Sequence, residues 1–383
     1  MGRPALILAA LAADAAPGKK FRHYMLAQSS DGLEILRLWD ESGESFELKI
    51  PKSPAGEGEL ALELQVLKAL KPFATKLPFS ISEYVGQTKD FDGTKAILFT
   101  LLGGNQPDLG KLGPGNFSRT FAEAIAAIHS LPLGAIRDAG LPEYDSSSIL
   151  HTKVSELDRV AASGRIPAIL LSRWEAALED VGLFRFHPAT THGAISSETG
   201  LVEGQNVVAI GGWGNVSIAD PAEDFRWLAG GGLPSTFDDA MIHYRSIRSG
   251  ADENIAQRAT LYSELELATW LIHCAKSGDE AATKQAEDMI EDLRSHLEAG
   301  NLRILTASSF VGLATTTALL SEITSSQAVV TEVELIDSQA EDAPEEVAAF
   351  EEIFETEESD LDPTDSEPTE PESQTETSPD ELF

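Results

Sequence analysis

The stretch that decides the fold is THGAISSETGLV, residues 191–202. It consists of a His-Gly pair, a small apolar residue, a polar loop and the beginning of a β-prone segment. This order is typical of a catalytic loop, in which a carboxylate is expected directly after the His-Gly pair. Ala194 occupies that position. Three interpretations of the stretch are open: an enzyme whose chemistry has moved to other residues, an enzyme that has lost it, or a loop that never had any.

The segments around this loop predict an α+β protein with two lobes. Residues 22–102 contain five short β-prone segments around one helical segment, GELALELQVLKAL at residues 58–70, whose apolar side chains recur at helical spacing. Beyond a Gly- and Pro-rich stretch the chain is mostly helical in pattern, and LVEGQNVVAIGGW, just after the loop, predicts a hairpin that turns at Glu203-Gly204. We expect a small antiparallel-sheet lobe followed by a mainly helical lobe.

The chain divides into five predicted segments. Residues 1–102 form an N-terminal segment and the sheet lobe, and the Gly- and Pro-rich residues 103–115 form a hinge. Residues 116–300 form the helical lobe that carries the altered catalytic loop, and residues 301–330 form a C-terminal extension. Residues 331–383 contain 21 acidic and no basic side chains, and their low hydrophobicity predicts a disordered acidic tail.

The charge of the chain argues against two classes of partner. The formal net charge is −35 at pH 7, and an acidic surface repels phosphate backbones and anionic lipid. We therefore expect neither nucleic acid nor a membrane as a partner. Two interpretations of residues 331–383 stay open: a solubilising segment, or an arm that binds a protein partner.

Cysteine content and the N-terminal sequence bear on localisation. Cys274 is the only cysteine, so no internal disulfide can form, which suits a reducing cytoplasm. The apolar run RPALILAALAADAAPG, residues 3–18, has the length of a signal-peptide core, but an amphipathic or buried helix explains it as well. We predict a cytoplasmic protein.

Three short motifs carry a resemblance to a known family: HGAISSET at 192–199, IGGW at 210–213 and ADPAED at 219–224. They follow the order and spacing of the patterns H-G-D-x(4)-N, I-D-W and G-D-P-x(2)-D. Over roughly residues 5–300, the chain thus resembles the aminoglycoside and macrolide phosphotransferase family as a degenerate member. The resemblance implies a protein-kinase-like fold and a nucleotide, ATP or GTP, bound between the lobes.

The resemblance also implies that three chemical positions are altered. In-line phosphoryl transfer needs a carboxylate to accept the proton of the attacking hydroxyl and oxygen ligands to hold Mg²⁺. The catalytic Asp, the Asn ligand and the metal-binding Asp of the family fall at Ala194, Thr199 and Gly212. Loss of a general base alone costs about 10²–10⁴ in rate, and Mg²⁺ is not expected to bind in the usual way. Glu198 and Asn215 are the nearby residues that could substitute.

Four further residues match positions that brace the loop in the family. These loop-scaffold residues are His192, Trp213, Asp220 and Asp224. Their presence beside the altered positions predicts that the scaffold of the loop persists without its chemistry.

Nucleotide binding is predicted at Lys49 and Glu63. The strand–turn–helix order that joins them is that of the phosphate-holding ion pair in a kinase-like lobe. The alternative is a surface lysine and an unrelated helix glutamate, and Lys52 is the second candidate cation.

Three hypotheses about function remain. The first is a pseudoenzyme that binds a nucleotide, a small molecule or a protein partner without transferring phosphate. The second is an active ATP- or GTP-dependent small-molecule O-phosphotransferase with displaced catalytic residues. The third is an interaction protein that acts through its acidic tail.

Overall fold

Five antiparallel strands form the sheet of the first lobe. The protein is described by a computed structural model that covers residues 3–27 and 32–306. The spatial order of the strands is β1-β2-β3-β5-β4. Their bounds are Phe21–Leu26 (β1), Leu33–Asp40 (β2), Ser45–Pro51 (β3), Tyr84–Lys89 (β4) and Lys95–Thr100 (β5).

The alternation of side chains gives the sheet two faces with different partners. On β2, Leu36 and Leu38 point to an outer face whose core includes Leu8 and Ala12, because successive side chains of a strand point to opposite sides. Ile35, one position earlier, packs instead against the main core of the protein. The inner face of the sheet therefore looks toward the second lobe.

A helix covers the outer face of the sheet. It is α1, Ala5–Ala15, formed by the apolar N-terminal run. Its end approaches β4 so closely that a Cβ at Gly86 would lie 1.9 Å from the carbonyl oxygen of Ala15. Within the part of the chain that the structure describes, neither this helix nor any other is long and apolar enough to cross a membrane.

The helix α2, Pro54–Leu70, follows β3 and packs on the inner side of the sheet. It begins earlier than the predicted segment 58–70, because Ser53 acts as N-cap: its hydroxyl accepts a hydrogen bond from the amide of Gly56 at 3.2 Å, and Pro54 occupies the first turn. Its buried side chains include Leu60, Glu63, Val66, Leu67 and Leu70, a helical spacing that places Glu63 on the packed face.

The second lobe is mainly helical and contains two short β ribbons. Its helices are α3 (Asn116–His129), α4 (Leu133–Asp138), α5 (Ser146–Ala162), α6 (Ala168–Glu179), α7 (Arg226–Gly231), α8 (Pro234–Ile247), α9 (Ile255–Ser277) and α10 (Glu280–Glu298). Its strands are β6 (Ala189–Thr191), β7 (Gly200–Glu203), β8 (Asn206–Ile210) and β9 (Ser217–Ala219). The predicted α+β architecture, with a small antiparallel-sheet lobe and a helical lobe, is confirmed.

The segment after Asp220 begins as a 3-10 turn, Pro221–Phe225, which precedes α7. Asp220 still caps that turn by accepting a hydrogen bond from the amide of Ala222 at 2.9 Å. The acidic tail and nearly all of the predicted C-terminal extension lie outside the described residues.

Candidate functional site

The candidate site is built around the loop that joins β6 to β7 and the segment that joins β8 to β9. Strands β6 and β9 pair in antiparallel register, with Thr191 opposite Ser217 and Ala189 opposite Ala219. The pairing brings residues 192–199 next to residues 211–216, although the two segments are separated in sequence by a hairpin.

Asp224 holds the beginning of the loop in place. It accepts hydrogen bonds from the backbone amides of His192 at 2.8 Å and Gly193 at 2.7 Å. A third bond, at 3.1 Å, joins it to Nε2 of His129. Burial pushes the pKa of Asp224 upward, but the hydrogen bond and charge of His129 outweigh burial and lower the pKa. The carboxylate is therefore ionised and serves to position the loop.

His192 is a buried bracing residue. Its Nε2 donates to the carbonyl oxygen of Gly211 at 2.9 Å, and its Nδ1 accepts from the amide of Ala194 at 3.3 Å. This pair of partners assigns the neutral tautomer with the proton on Nε2. Burial lowers the pKa of His192, which agrees with a neutral ring that braces the loop rather than one that exchanges protons.

Trp213 anchors the segment that joins β8 to β9. Its indole Nε1 donates to the carbonyl oxygen of Ile210 at 2.8 Å. Its ring meets the ring of His192 edge-on at 4.7 Å and stacks with Phe79 at 6.2 Å. The two segments are thus joined through a fully buried aromatic contact.

Asp220 is part of a buried ion cluster. Its two oxygens accept hydrogen bonds from Arg258 at 2.6 and 2.9 Å and one from the hydroxyl of Tyr262 at 2.6 Å. Arg258 also binds Asp252 at 2.9 and 3.0 Å. Burial lowers the pKa of Arg258, but the charge of Asp220 and the bonds to Asp252 outweigh it and raise the pKa.

Sequence reasoning missed Arg258. A signal was available, because Arg258 lies at helical spacing from Ile255, Leu261 and Leu265 on the apolar face of α9. A charge on the buried face of a helix requires an ionic partner, but the sequence alone does not say that the partner is Asp220.

The three altered positions lie together in the site. Ala194 is half-buried, and its carbonyl oxygen accepts a hydrogen bond from the Thr199 hydroxyl at 3.0 Å. That hydroxyl also accepts from the amide of Ser196 at 2.8 Å. The side chain of Thr199 therefore stabilises the loop by hydrogen bonds to the backbone of Ala194 and Ser196.

Gly212 and Thr199 are in direct steric contact. Gly212 has a φ of +73°, and a Cβ placed on it would lie 2.5 Å from Cγ2 of Thr199. Real Cβ contacts essentially never fall below 3.0 Å. The methyl group of Thr199 thus fills the space from which a side chain at position 212 would extend.

Glu198 and Asn215, the predicted substitutes, are both exposed. The backbone of Asn215 lies next to the loop, because a Cβ on Gly193 would meet its carbonyl oxygen at 2.7 Å. Gly193 has a φ of +77°, so this close approach requires glycine. Within residues 3–27 and 32–306, no group of three or more His, Cys, Asp or Glu side chains is arranged to hold a metal ion.

Lys49 and Glu63 are brought together by the structure. The ammonium group of Lys49 contacts both oxygens of Glu63, at 2.8 and 2.9 Å, and lies 3.7 Å from an oxygen of Glu47. The side chains of Lys49 and Glu63 are only 13% and 7% exposed. Burial lowers the pKa of Lys49, but the charges of Glu63 and Glu47 outweigh it and raise the pKa. Lys52, the other candidate cation, is exposed.

The helix that carries Glu63 lies next to the segment that contains Gly212. The charge of Glu63 acts on His192, and α2 packs against residues 213–215. Whether the Lys49–Glu63 pair contacts a nucleotide stays a prediction.

Comparison with known proteins identifies the family. Residues 28–261 match the model of the phosphotransferase enzyme family, and no curated protein matches significantly. The apoenzyme of macrolide 2′-phosphotransferase MphH from Brachybacterium faecium has 20% identity and a TM-score of 0.61, covering 74% of this chain and 97% of its own.

Two aminoglycoside phosphotransferases are also similar in structure. The GDP complex of wild-type aminoglycoside 2′-phosphotransferase-IIIa has 16% identity and a TM-score of 0.61, covering 76% of this chain and 98% of its own. The ADP-bound APH(2″)-Ib has 14% identity and a TM-score of 0.51, covering 71% and 92%. At these identities the similarity establishes the fold.

Proposed function

Since this chain belongs to the phosphotransferase enzyme family, we propose that it is a member that binds a ligand between its lobes and no longer transfers phosphate efficiently. The observation that carries the proposal is the contact between Thr199 and Gly212, in which a methyl group fills the space of the metal-binding side chain. Ala194 adds a second loss, because it offers no proton acceptor.

The residues present do not fit the Mg²⁺ ion that the family uses. Magnesium requires oxygen ligands in near-octahedral geometry, usually with at least one carboxylate. Gly212 supplies no side-chain oxygen, and the hydroxyl of Thr199 is engaged with Ala194 and Ser196.

The residues that remain support binding. Asp224, His192 and Trp213 hold the loop in one conformation through buried contacts, and a preorganised surface loses less entropy when it binds a ligand. Structures of aminoglycoside phosphotransferases with GDP or ADP make a nucleotide the first ligand to test. A small molecule that carries hydroxyl groups is the second.

The test is a transfer assay on the full chain. The protein is incubated with ATP or GTP, Mg²⁺ and an aminoglycoside or macrolide, and the phosphorylated product is measured by mass spectrometry. We expect turnover at least about 10³-fold below 1 s⁻¹, a rate within the range of ordinary enzymes. Turnover near that rate would contradict the proposal.

Displaced catalysis has its own signature in the same assay. If Glu198 or Asn215 replaced the lost groups, the protein would turn over and the variant Glu198→Ala/Asn215→Ala would not. Residual activity that is equal in the wild type and in this variant would exclude that mechanism.

Two further proposals follow from sequence. We propose a cytoplasmic location from the single cysteine Cys274, which is buried. We also propose that residues 331–383 form an arm that binds a protein partner. The test is to delete these residues, and capture of the same partners by the shortened chain would exclude this role.

A further inference from the structure

A second carboxylate, that of Glu47, lies near Lys49 in addition to its ion-pair partner Glu63. Glu47 lies two residues before it on β3, so both side chains point to the inner face of the sheet. One oxygen of Glu47 is 3.7 Å from the Lys49 ammonium group, and the other is 3.6 Å from Nε of Arg37. With Glu63 already bound to Lys49 at 2.8 Å, two carboxylates compete for one ammonium group.

A third carboxylate lies between the two lobes. Glu59 is one helical turn before Glu63 on α2 and is exposed. Its Oε2 would be 3.4 Å from a Cβ on Gly32, at the start of β2, and its Cγ would be 3.6 Å from a Cβ on Gly214. Its charge acts on Lys49. Glu59 therefore occupies the space between the sheet and the segment that follows Gly212.

The sum of these charges opposes a phosphate chain. Three carboxylates, on Glu47, Glu59 and Glu63, face two cations, on Lys49 and Arg37. A nucleoside diphosphate or triphosphate adds several negative charges, and these would be repelled most strongly by Glu47 and Glu63, the two carboxylates that are largely shielded from water.

We propose that Glu47 and Glu59 determine which class of ligand binds in the cleft, the space between the sheet and the segment that follows Gly212. The cleft then selects molecules that carry no phosphate group and whose part next to Lys49 is uncharged or cationic. This inference rests on the proposed function, because it concerns the ligand of the same cleft. It narrows that function, since a nucleoside is then expected to bind in preference to the corresponding nucleotide.

The experiment compares adenosine with ADP, which differ only in the phosphates. Each is titrated calorimetrically, without Mg²⁺, into the full-chain wild type and into Glu47→Gln/Glu59→Gln, which keeps side-chain size and removes two charges. We expect the wild type to bind ADP no more tightly than adenosine. We expect the variant to bind ADP at least about tenfold more tightly than the wild type does, and less so at high salt.

Two controls show where the gain arises. Glu57→Gln removes one carboxylate charge at an exposed position in the first turn of α2, which matches the change in Glu59→Gln, and should leave ADP binding unchanged. Adding Lys49→Met to the double variant should abolish the gain, because the ammonium group of Lys49, then opposed by Glu63 alone, is what attracts the phosphates. Glu59→Gln alone, at an exposed position, should give a smaller gain if the double variant fails to fold.

Two results would overturn the proposal. The first is that the wild type binds ADP more tightly than adenosine. The second is that the wild type and the double variant bind ADP with equal affinity, which includes the case in which neither protein binds ADP detectably. Neither result depends on phosphate transfer, which is measured in the separate product assay. The two proposals therefore fail independently.

Discussion

Replacing Asp224 with asparagine tests whether this buried carboxylate holds the loop. Asp224 is fully buried and accepts bonds from two backbone amides and from one imidazole nitrogen. An asparagine oxygen at the position of Oδ2 keeps the contacts to His192 and His129. Its NH₂ group then faces the amide of Gly193, so at least one buried N–H loses its acceptor.

The expected cost of Asp224→Asn is about 3 kcal/mol. An unsatisfied buried donor costs about 1–3 kcal/mol, and two bonds that lose their charge assistance cost about 1 kcal/mol more in total. For a folded body of this size, about 3 kcal/mol lowers Tm by roughly 6 °C. The matched control is Asp288→Asn, which removes an exposed i,i+4 contact with Lys284 and should change stability by less than about 0.5 kcal/mol.

The effect of Asp224→Asn should also depend on pH. Because the folded-state pKa of Asp224 is lowered, its stabilisation is complete above the unfolded pKa of about 3.9 and is lost as pH falls through the folded pKa. The difference in Tm between wild type and variant, measured by calorimetry, should therefore be constant near neutral pH and shrink below about pH 4. A variant as stable as the Asp288 control, or a difference that grows in acid, would refute the assignment.

Two further predictions concern glycines of the site. Gly193→Ala should lower folding stability by about 1–2 kcal/mol more than Gly43→Ala does. Both glycines have positive φ, but only at position 193 would the new Cβ lie 2.7 Å from the Asn215 carbonyl oxygen. Equal Tm values for the two variants would contradict this. Gly212→Asp should be less stable alone than together with Thr199→Ser, which removes the blocking methyl and keeps the hydroxyl. A double-mutant cycle with a coupling energy near zero, instead of about 1 kcal/mol or more, would contradict this.

Local patterns predicted most of the architecture. The helices α9 and α10 end just before glycine or within two residues of it, as their C-terminal signals indicate. The Lys49–Glu63 contact was predicted from the resemblance, through the strand–turn–helix order that joins the two residues. These features depend on residues that are close in sequence.

Features that depend on long-range packing could not be predicted. The bond between Asp220 and Arg258 joins residues 38 positions apart, and no local pattern selects that partner. The alternation of β3 placed Glu47 on the same face as Lys49, but its approach to that lysine depends on how Arg37 and Glu63 share the space. The contact of Thr199 with Gly212 likewise becomes visible only when the two segments are brought together.

The closeness of Thr199 to Gly212 also couples what the two positions can carry. A side chain added at position 212 would meet the methyl group of Thr199, so a carboxylate there fits only when position 199 carries a different side chain or shifts. Marginal folding stability leaves little tolerance for the clash. The effect of a substitution at position 212 therefore depends on which residue stands at position 199.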